Sequence, residues 1–319
     1  MSIPVQGRIP PVKYWRGVNV GGLFNEASYL AFYDLEFKSD DIIALTFAKC
    51  GTTYLQKLLY LITRLDGDGN EPEDKVSAIA QGQLYPEWLH TVKNRRPFPD
   101  VTLDEVLYQP SPRIFCTHMT PEFLPPQAPT GKMVCMIRNP KDAFVSFHSM
   151  IDKIYKKNQG PDRFLPWLTK EDGELGCYEG YMPGGDITFY CDYFAYLRKM
   201  QEYADAHPNQ FLALYYEEVL EDVEGNIKKL ADFLGYELTD AKLEAIKQKS
   251  SFQSMQAETA NTNRAMFFRK GGHGDWKNHV DVDTPQGPSP SAEQWARFDE
   301  ELEKLQDLPL AQPIFKWMN

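Results

Sequence analysis

The sequence predicts an α/β fold, a single domain over residues 1–319 with a central parallel β-sheet flanked by helices. Short apolar runs typical of strands alternate along the chain with segments whose apolar residues recur at helical spacing. That alternation is typical of a parallel sheet covered on both faces. One run, residues 132–137, is almost continuously apolar, as expected of a strand buried on both sides. Neither an internal repeat nor a linker divides the 319 residues.

The composition argues against several classes of function. The net charge is -11, from 34 basic and 45 acidic residues, which argues against nucleic acid or an anionic membrane as the main partner. The five cysteines form no Cys-x-x-Cys pair, so neither a disulfide framework nor a structural zinc site is predicted. The sequence shows no signal-peptide core and no apolar run of membrane-spanning length. We therefore expect a cytoplasmic protein in which any anionic ligand is bound by a local basic cluster.

The first strand–turn–helix unit is the strongest candidate for a binding site. Residues 41–47 are predicted to form a buried strand, and apolar residues at helical spacing follow over residues 55–65. In the turn between them, backbone N–H groups and the positive end of the helix would face an anion. Lys49 adds a charge there, and Thr52 and Thr53 add hydroxyl donors. The turn therefore predicts a P-loop-like phosphate cradle.

This cradle is not a Walker A loop, because Lys49 precedes the only glycine, Gly51, and no upstream glycine is present. The expected ligand therefore differs from an ordinary nucleoside triphosphate. A plain strand-to-helix turn capped by Thr52, with Lys49 on the surface, explains the stretch equally well when it is considered alone.

Two further strands end at candidate functional residues. The strand predicted at residues 113–117 ends at His118, and the strand at residues 132–137 ends at Arg138. Ser146 lies about two helical turns into the helix that follows Arg138. Ligands of parallel α/β sheets bind outside the carboxyl ends of the strands. We therefore expect the cradle, His118 and Arg138 to meet at one edge of the sheet.

The remaining elements follow the same alternation. Residues 155–186 are rich in glycine, proline and acidic residues and are predicted to form a long loop or lid, and residues 269–277 form a basic segment without periodicity. The other predicted elements are a helical stretch between residues 70 and 85, helices at 102–107, 187–206, 224–234, 239–249 and 291–305, and a strand at 211–216.

The sequence resembles the cytosolic sulfotransferase family over nearly the whole chain, and three ordered motifs carry the resemblance. Residues 46–54 are similar to the family's loop for the phosphosulfate end of 3′-phosphoadenosine 5′-phosphosulfate (PAPS). The Arg-Asn-Pro-Lys-Asp stretch from Arg138, with Ser146, is similar to its 3′-phosphate site, and residues 269–277 are similar to its C-terminal signature. The resemblance implies the sulfotransferase fold and transfer of a sulfuryl group from PAPS to a hydroxyl group, or alternatively an amine, of a small-molecule acceptor.

The resemblance also implies roles for individual residues. His118 matches the family's catalytic base, and Lys49 would stabilise the leaving phosphate. The predicted cofactor site comprises Lys49, Cys50, Gly51, Thr52 and Thr53 at the 5′-phosphate, Arg138, Ser146, Arg269, Lys270 and Gly271 at the 3′-phosphate, Tyr54, Phe252, Tyr216 and Ser250 at the adenine, and the adjacent Phe267 and Phe268. The predicted acceptor site comprises Phe24, Tyr85, Trp88, Phe147, His148 and Met150.

These roles agree with the chemistry of sulfuryl transfer. The acceptor must lose a proton, for which imidazole is suited, and charge on the departing phosphate must be stabilised, for which a lysine and helix-end N–H groups are suited. The sulfonate carries less charge than a terminal phosphate, so no metal is required, and the sequence contains no metal-ligand cluster. Considered alone, His118 fits a structural histidine better than a base; Arg138 also fits a helix-start residue and Tyr54 a core residue, and it is the motifs around them that favour the functional roles. Asp142 and Asp275 are interpreted as groups that orient loops.

The sequence departs from the family pattern at several positions. Ala48 and Cys50 stand where proline and serine are usual, Tyr54 stands where tryptophan is usual, and Cys116 stands where a lysine is common. The family's dimerisation motif is not recognisable from Lys277 onward, so the usual dimer is not predicted. Two alternatives remain: a P-loop kinase of a small molecule, which requires ATP and magnesium, and a non-catalytic protein that binds adenosine bisphosphate.

Overall fold

Four buried parallel strands form the centre of the molecule. The computed structural model describes residues 13–73, 84–92, 101–160, 165–168, 176–260, 265 and 267–318. Its strands are β1 (Tyr14–Trp15), β2 (Val18–Asn19), β3 (Ile42–Thr46), β4 (Ile114–Thr117), β5 (Lys132–Ile137), β6 (Phe211–Tyr215), β7 (Asp283–Thr284) and β8 (Gly287–Pro288). Strands β3 to β6 form one sheet in the order β4-β3-β5-β6, whereas β1 with β2 and β7 with β8 form antiparallel pairs. The parallel sheet predicted from the sequence is therefore confirmed.

The order of the strands puts a topological switch point next to the predicted cradle. Ile42 of β3 pairs in parallel register with Ile114 of β4 on one side and with Lys132 of β5 on the other. The chain thus leaves β3 for β4 and then returns to the opposite side of β3 to form β5. Ligands of open α/β sheets bind at such a topological switch point, outside the carboxyl ends of the strands. The residues after β3 and after β5 therefore flank the expected binding crevice.

Helices surround this sheet. They are α1 (Glu26–Tyr33), α2 (Thr52–Arg64), α3 (Leu103–Leu107), α4 (Pro140–Gln159), α5 (Cys177–Tyr181), α6 (Tyr193–Ala206), α7 (Tyr216–Glu221), α8 (Val223–Leu234), α9 (Asp240–Lys249), α10 (Phe252–Thr259) and α11 (Ala292–Glu303). Short 3-10 helices lie at Pro86–Trp88, Pro121–Phe123, Ala128–Thr130, Asp275–His279 and Gln312–Trp317. None of the described helices is long and apolar enough to cross a membrane.

Hydrophobic burial fixes the helix that follows the first sheet strand. Leu55, Leu58, Leu59 and Ile62 on α2 are completely buried. Each such side chain contributes about 1.5–3 kcal/mol when it is removed from water. The packing holds the N-terminus of α2 at the carboxyl end of β3, where the predicted cradle lies.

A buried ion pair joins the starts of the neighbouring strands β3 and β4. Arg113, just before β4, donates from Nε to Oδ1 of Asp41, just before β3, at 2.8 Å. The Asp41 carboxylate also accepts the backbone N–H of Lys38 at 2.7 Å, and Asp41 is completely buried. The pair aligns the starts of β3 and β4, so the ends of both strands are also held in register.

Some predicted element boundaries were wrong. The helix predicted from residue 187 begins at Tyr193, because the Asp192 carboxylate accepts the backbone N–H groups of Phe194 and Ala195 and caps the helix there. The strand predicted to include Tyr216 ends one residue earlier, and Tyr216 starts α7. Helix α4 continues to Gln159, into the segment predicted to be a lid.

Other sequence predictions fall outside the described residues. These include most of the helical stretch predicted between residues 70 and 85, and residues 161–164 and 169–175 of the predicted lid. The extent of the single domain over residues 1–319 stays a prediction.

Candidate active site

The loop between β3 and α2 leaves the first turn of a helix open to an anion. Gly51 is the N-cap of α2 and provides no side-chain cap. The first N–H groups of a helix have no partners within the helix itself. The hydroxyl groups of Thr46 and Thr52 lie 2.6 Å apart and join the end of β3 to the start of α2. The sequence-predicted cradle therefore has the geometry of an anion site.

Gly51 has no room for a side chain. Its φ is 101°, in the left-handed region that favours glycine. A Cβ at this position would lie 2.6 Å from Sδ of Met136 and 2.8 Å from Cδ2 of Tyr216. The glycine thus allows the cradle to lie directly against β5 and the start of α7.

Arg138 connects the cradle to the C-terminal basic segment. Its guanidinium donates to the carbonyl of Lys49 at 3.1 Å and to the carbonyl of Gly272 at 3.1 Å. It also lies over the ring of Tyr216, 4.4 Å from the ring centre. Arg138 is buried, and its Nε has no hydrogen-bond partner among the described residues. The sequence placed Arg138 at the sheet edge, and the structure adds this bridging role.

Positive charges converge on the cradle. Burial, with the nearby charges of Arg138, Lys153 and Arg269 acting in the same direction, lowers the pKa of Lys49 to about 7. The Lys49 ammonium is 3.4 Å from the carbonyl of Phe267 and lies over that ring. Like charges held together in a partly buried site favour the binding of an anion. Lys153, on α4, was not predicted from the sequence.

Two aspartates hold the C-terminal basic segment in place. Asp275 forms ion pairs with Arg269 and with Lys270, the latter at 2.6 Å. Asp142 on α4 accepts the backbone N–H groups of Gly274 and, at 3.0 Å, Trp276. Both carboxylates therefore orient this loop, in agreement with the sequence interpretation.

Most of the predicted adenine and 3′-phosphate residues lie around the same loop. The rings of Tyr54 and Tyr216 meet edge to face at 6.5 Å, and the Tyr54 hydroxyl lies beside Ser250. Phe252 packs against the ring of Phe268 at 5.9 Å and contacts Gly271. Ser146 is buried on α4, the helix that also carries Asp142.

His118 is held as a neutral base. Its Nδ1 is 2.7 Å from the carbonyl oxygen of Thr46, which can only accept, so Nδ1 carries the proton and Nε2 carries the free lone pair. Burial lowers the pKa of His118 to about 4, and the charge of Lys49 contributes in the same direction. The imidazole is therefore unprotonated at Nε2 at neutral pH.

Three aromatic rings surround His118. The ring centres of Tyr85, Trp88 and Phe189 lie 5.3, 5.5 and 6.2 Å from that of the imidazole. Tyr85 and Trp88 stack at 4.4 Å and were both predicted to line the acceptor site. Sequence reasoning missed Phe189, because it falls in the loop before Tyr193 that was predicted to be helical. Gly21 makes room for the ring of Phe189, since a Cβ at position 21 would lie 2.7 Å from that ring.

The structure does not bring the other predicted acceptor residues into this aromatic group. His148 lies with Nε2 3.0 Å from the carbonyl of Leu165 and stacks on Trp167 at 3.5 Å. Phe147 packs against Tyr181 at 5.6 Å. The predicted acceptor residues that lie outside the aromatic group around His118 are all buried; they are Phe24, Phe147, His148 and Met150. Their part in acceptor binding stays a prediction.

Cys116 contributes no charge to the site. It is buried and accepts a hydrogen bond from Nε2 of Gln56 at 2.9 Å. Burial raises the pKa of its thiol above the usual range. The thiol therefore stays protonated and uncharged, at a position where the family that the sequence resembles commonly has a charged lysine.

Comparison with known proteins identifies the family of the chain. The sequence profile of the Sulfotransferase domain matches residues 39–286. The chain belongs to the sulfotransferase family. Mouse Sulfotransferase 2A1 is 29% identical over 264 residues, covering 77% of this chain and 80% of that protein. The rabbit (Oryctolagus cuniculus) Amine sulfotransferase is 29% identical over 301 residues, covering 87% and 84%.

Solved structures of the family share the fold. The crystal structure of mouse sulfotransferase SULT7A1 complexed with PAP has a TM-score of 0.68 at 21% identity and covers 96% of this chain and 98% of that chain. Retinol dehydratase, in complex with androsterone and inactive cofactor PAP, has a TM-score of 0.60 at 21% identity and covers 94% and 90%. The predicted sulfotransferase fold is confirmed. In the part of the chain that the structure describes, no group of three or more His, Cys, Asp or Glu could hold a metal ion.

Replacing Gly51 with alanine should deform the cradle. The new Cβ would contact Met136 and Tyr216 too closely and would adopt an unfavourable φ. We expect Gly51→Ala to lower the free energy of unfolding by about 2–4 kcal/mol. We also expect it to abolish the thermal shift given by adenosine 3′,5′-bisphosphate.

Gly67→Ala is the matched control, because its Cβ would meet only Thr239 Cγ2 at the ordinary distance of 3.7 Å. Urea unfolding and thermal-shift titration measure both effects. A Gly51→Ala protein as stable as Gly67→Ala, with an unchanged bisphosphate shift, would contradict the close packing of the cradle.

Proposed function

We propose that this family member is a PAPS-dependent sulfotransferase that transfers a sulfuryl group to a hydroxyl group, or alternatively an amine, of a small-molecule acceptor. One observation carries the proposal: the anion cradle, Arg138 and the neutral base His118 lie together at the switch point of the sheet. Family membership supports sulfuryl transfer in general. The proposal adds the donor, the base and the groups that bind the donor.

The residues present fit a ligand with two phosphate groups. We propose that Lys49 and the start of α2, with Cys50, Gly51, Thr52 and Thr53, bind the 5′-phosphate. We propose that Arg138, Ser146, Arg269, Lys270 and Gly271 bind the 3′-phosphate. The buried Nε atoms of Arg138 and Arg269 have no hydrogen-bond partners among the described residues, which leaves donors available for a ligand. The PAP named in the two solved structures carries a 5′- and a 3′-phosphate.

The adenine would bind among aromatic side chains beside the cradle. Tyr54 and Phe252 offer stacking faces, Tyr216 and Ser250 offer hydroxyl groups, and Phe267 and Phe268 close the site from the C-terminal segment. Tyr216 already contacts Arg138 through its ring, so the adenine and phosphate sites share a wall. A rigid aromatic wall positions a base with little loss of side-chain entropy.

His118 is proposed to take the acceptor proton. Nε2 holds the free lone pair, while Nδ1–H stays on the carbonyl of Thr46 and stabilises the imidazolium that forms. PAPS, when bound, supplies the sulfuryl group, which leaves the 5′-phosphate and ends on the acceptor oxygen or nitrogen. Lys49 stabilises the charge left on that phosphate. A bound anion raises the pKa of Lys49, so the lysine is charged when this role requires it.

The acceptor would lie among Tyr85, Trp88 and Phe189. These rings surround the base with apolar surface, which excludes water and favours an acceptor with a flat apolar body. The chemistry of the walls is compatible with both oxygen and nitrogen acceptors.

Removing the base should abolish turnover without loss of nucleotide binding. We expect His118→Gln to lower kcat by about 100-fold to 10,000-fold, the range usual for a general base. The thermal shift with adenosine 3′,5′-bisphosphate should be unchanged. His207→Gln, at the end of α6, is the control. Near-normal turnover of His118→Gln would show that another group removes the proton.

The low pKa of His118 determines the acid side of the pH profile. A histidine whose folded pKa lies below its ordinary value is neutral, and so able to accept a proton, down to about pH 4. Protonation of His118 should therefore lower kcat/KM only at pH values well below about 6, not near the ordinary histidine pKa, and a change near pH 7 would come from another group. Initial rates with PAPS measured from about pH 5 to about pH 8 test this. A midpoint at about pH 6.5 that disappears in His118→Gln would show that the imidazole is more solvated than described.

The donor site can be tested by ligand binding alone. Adenosine 3′,5′-bisphosphate at about 100 times its Kd should stabilise the fold by about 2.7 kcal/mol, whereas ATP with magnesium should not. Arg138→Ala should remove most of this shift, because it deletes the bridge between the cradle and Gly272. Arg198→Ala, on α6, is the control. A shift with ATP and magnesium alone would favour the small-molecule kinase.

A further inference from the structure

A buried carboxyl group lies directly behind the proposed base. Glu87 belongs to the Pro86–Trp88 turn and is completely buried. Its Oε1 accepts the hydroxyl proton of Thr117, the residue before His118, at 2.7 Å. The Thr117 hydroxyl in turn accepts the backbone N–H of Met119 at 3.0 Å. The backbone on both sides of His118 is therefore held by one carboxylate and one hydroxyl.

The same short turn supplies two walls of the acceptor site. Tyr85 and Trp88 flank Glu87, and residues three apart in a 3-10 helix lie on one face. The turn is itself anchored, because its Glu87 carbonyl accepts the backbone N–H of Asn25 at 2.8 Å. Just before the turn, the carbonyl of Leu84 accepts the backbone N–H of Cys116 at 2.7 Å. Glu87 is thus the side chain that joins the aromatic wall to the base.

We propose that Glu87 is a positioning residue, whose carboxylate, through the Thr117 hydroxyl, fixes the backbone around His118 relative to the Tyr85–Trp88 wall so that Nε2 faces the acceptor. This inference rests on the proposed function and deepens it. Thr46 fixes the imidazole ring through Nδ1, whereas Glu87 fixes the chain that carries the ring. The two contacts come from different elements, β3 and the Pro86–Trp88 turn.

The charge on Glu87 makes this role dependent on pH. Burial raises the pKa of Glu87 to about 7, and the titratable groups around it are Cys116 on β4, Tyr190 on the loop before α6 and His118 itself. None of these is a cation at neutral pH. Its Oε2 has no hydrogen-bond partner among the described residues. Hydrogen bonds to an ionised acceptor are stronger than those to a neutral one, so the Thr117 hydroxyl, and with it the backbone around His118, is held more firmly as pH rises through about 7.

Stability should change in the opposite sense. The folded pKa of Glu87 lies above that of an exposed glutamate, so the native state binds more protons than the unfolded state over the interval between them. Stability is therefore lost as pH rises from about 4.5 to about 7. Glu87→Gln removes this loss, and its Tm relative to wild type should be higher at about pH 8 than at about pH 5. If Glu87 served stability alone, Glu87→Gln would not combine this pH dependence of Tm with a loss of catalytic rate.

Steady-state kinetics test the positioning role. With PAPS and 1-naphthol, 1-butanol or 2-phenylethylamine as probe acceptors, Glu87→Gln should lower kcat/KM about tenfold at about pH 8 and by less than about threefold at about pH 6. The KM for PAPS and the Kd for adenosine 3′,5′-bisphosphate should change by less than about twofold.

Thr117→Val should show a smaller loss of kcat/KM in the same direction. Since both side chains act through one hydrogen-bond chain, the double variant should be no worse than Glu87→Gln.

A second measurement requires no turnover. The ¹⁵N NMR signals of the histidine rings report the tautomer of His118 in the protein alone, with His118→Gln used to assign them. Glu87→Gln should reduce the population protonated at Nδ1, because the ring no longer lies in a fixed position against the Thr46 carbonyl. Glu300→Gln, an exposed glutamate on α11, is the matched control for both measurements.

The possible outcomes separate this inference from the function on which it rests. If wild-type protein transfers sulfuryl groups and Glu87→Gln keeps the wild-type pH profile and tautomer, the inference is overturned. A loss of rate that is equal at every pH, accompanied by a lower Tm and weaker bisphosphate binding, also overturns it in favour of a purely structural role. If no probe acceptor is sulfated while the tautomer shifts as expected, the proposed reaction fails but the positioning of His118 by Glu87 stands.

Discussion

The hydrogen bond from Nδ1 of His118 to the carbonyl of Thr46 is the contact on which the geometry of the site depends. Thr46 is the last residue of β3, and its own hydroxyl lies 2.6 Å from that of Thr52 at the start of α2. One residue of a completely buried strand thus determines both the tautomer of the base and the position of the anion cradle. Groups held by rigid elements keep their separation far better than groups held by loops.

Burial lowers the pKa of both Lys49 and His118, with different consequences. For His118 the result is the neutral imidazole that proton abstraction requires. For Lys49 the result is a cation made unfavourable by burial and by the charges of Arg138 and Arg269. Under the proposed function an anionic ligand would relieve this charge arrangement, and part of its binding energy would come from that relief.

The sheet, and the meeting of the loop after β3 with His118 and Arg138 at one edge of it, could be predicted because their signals are local. Strand periodicity, the position of Gly51 and the strand ends at His118 and Arg138 place these groups at one edge once the strands are parallel. Phe189 and Lys153 could not be predicted, since their contacts join segments far apart in sequence. The acceptor prediction included Phe147, His148 and Met150 on α4, but the adjacent residues Phe147 and His148 point about 100° apart, so the three do not all share one face. The shift of the helix start to Tyr193 also depended on a single cap, Asp192.

The N-terminal hairpin of β1 and β2 holds the loop that carries Phe189. The Asn19 amide donates to the carbonyls of Asp186 and Thr188 at 2.7 and 3.0 Å, and the Asn19 carbonyl accepts the backbone N–H of Tyr190 at 2.6 Å. None of these contacts involves the groups assigned to the nucleotide. Mutations in the hairpin can therefore alter the ring beside His118 without touching those groups. Under the proposed function, the range of acceptors and the use of the donor would depend on separate parts of the chain and could diverge independently in evolution.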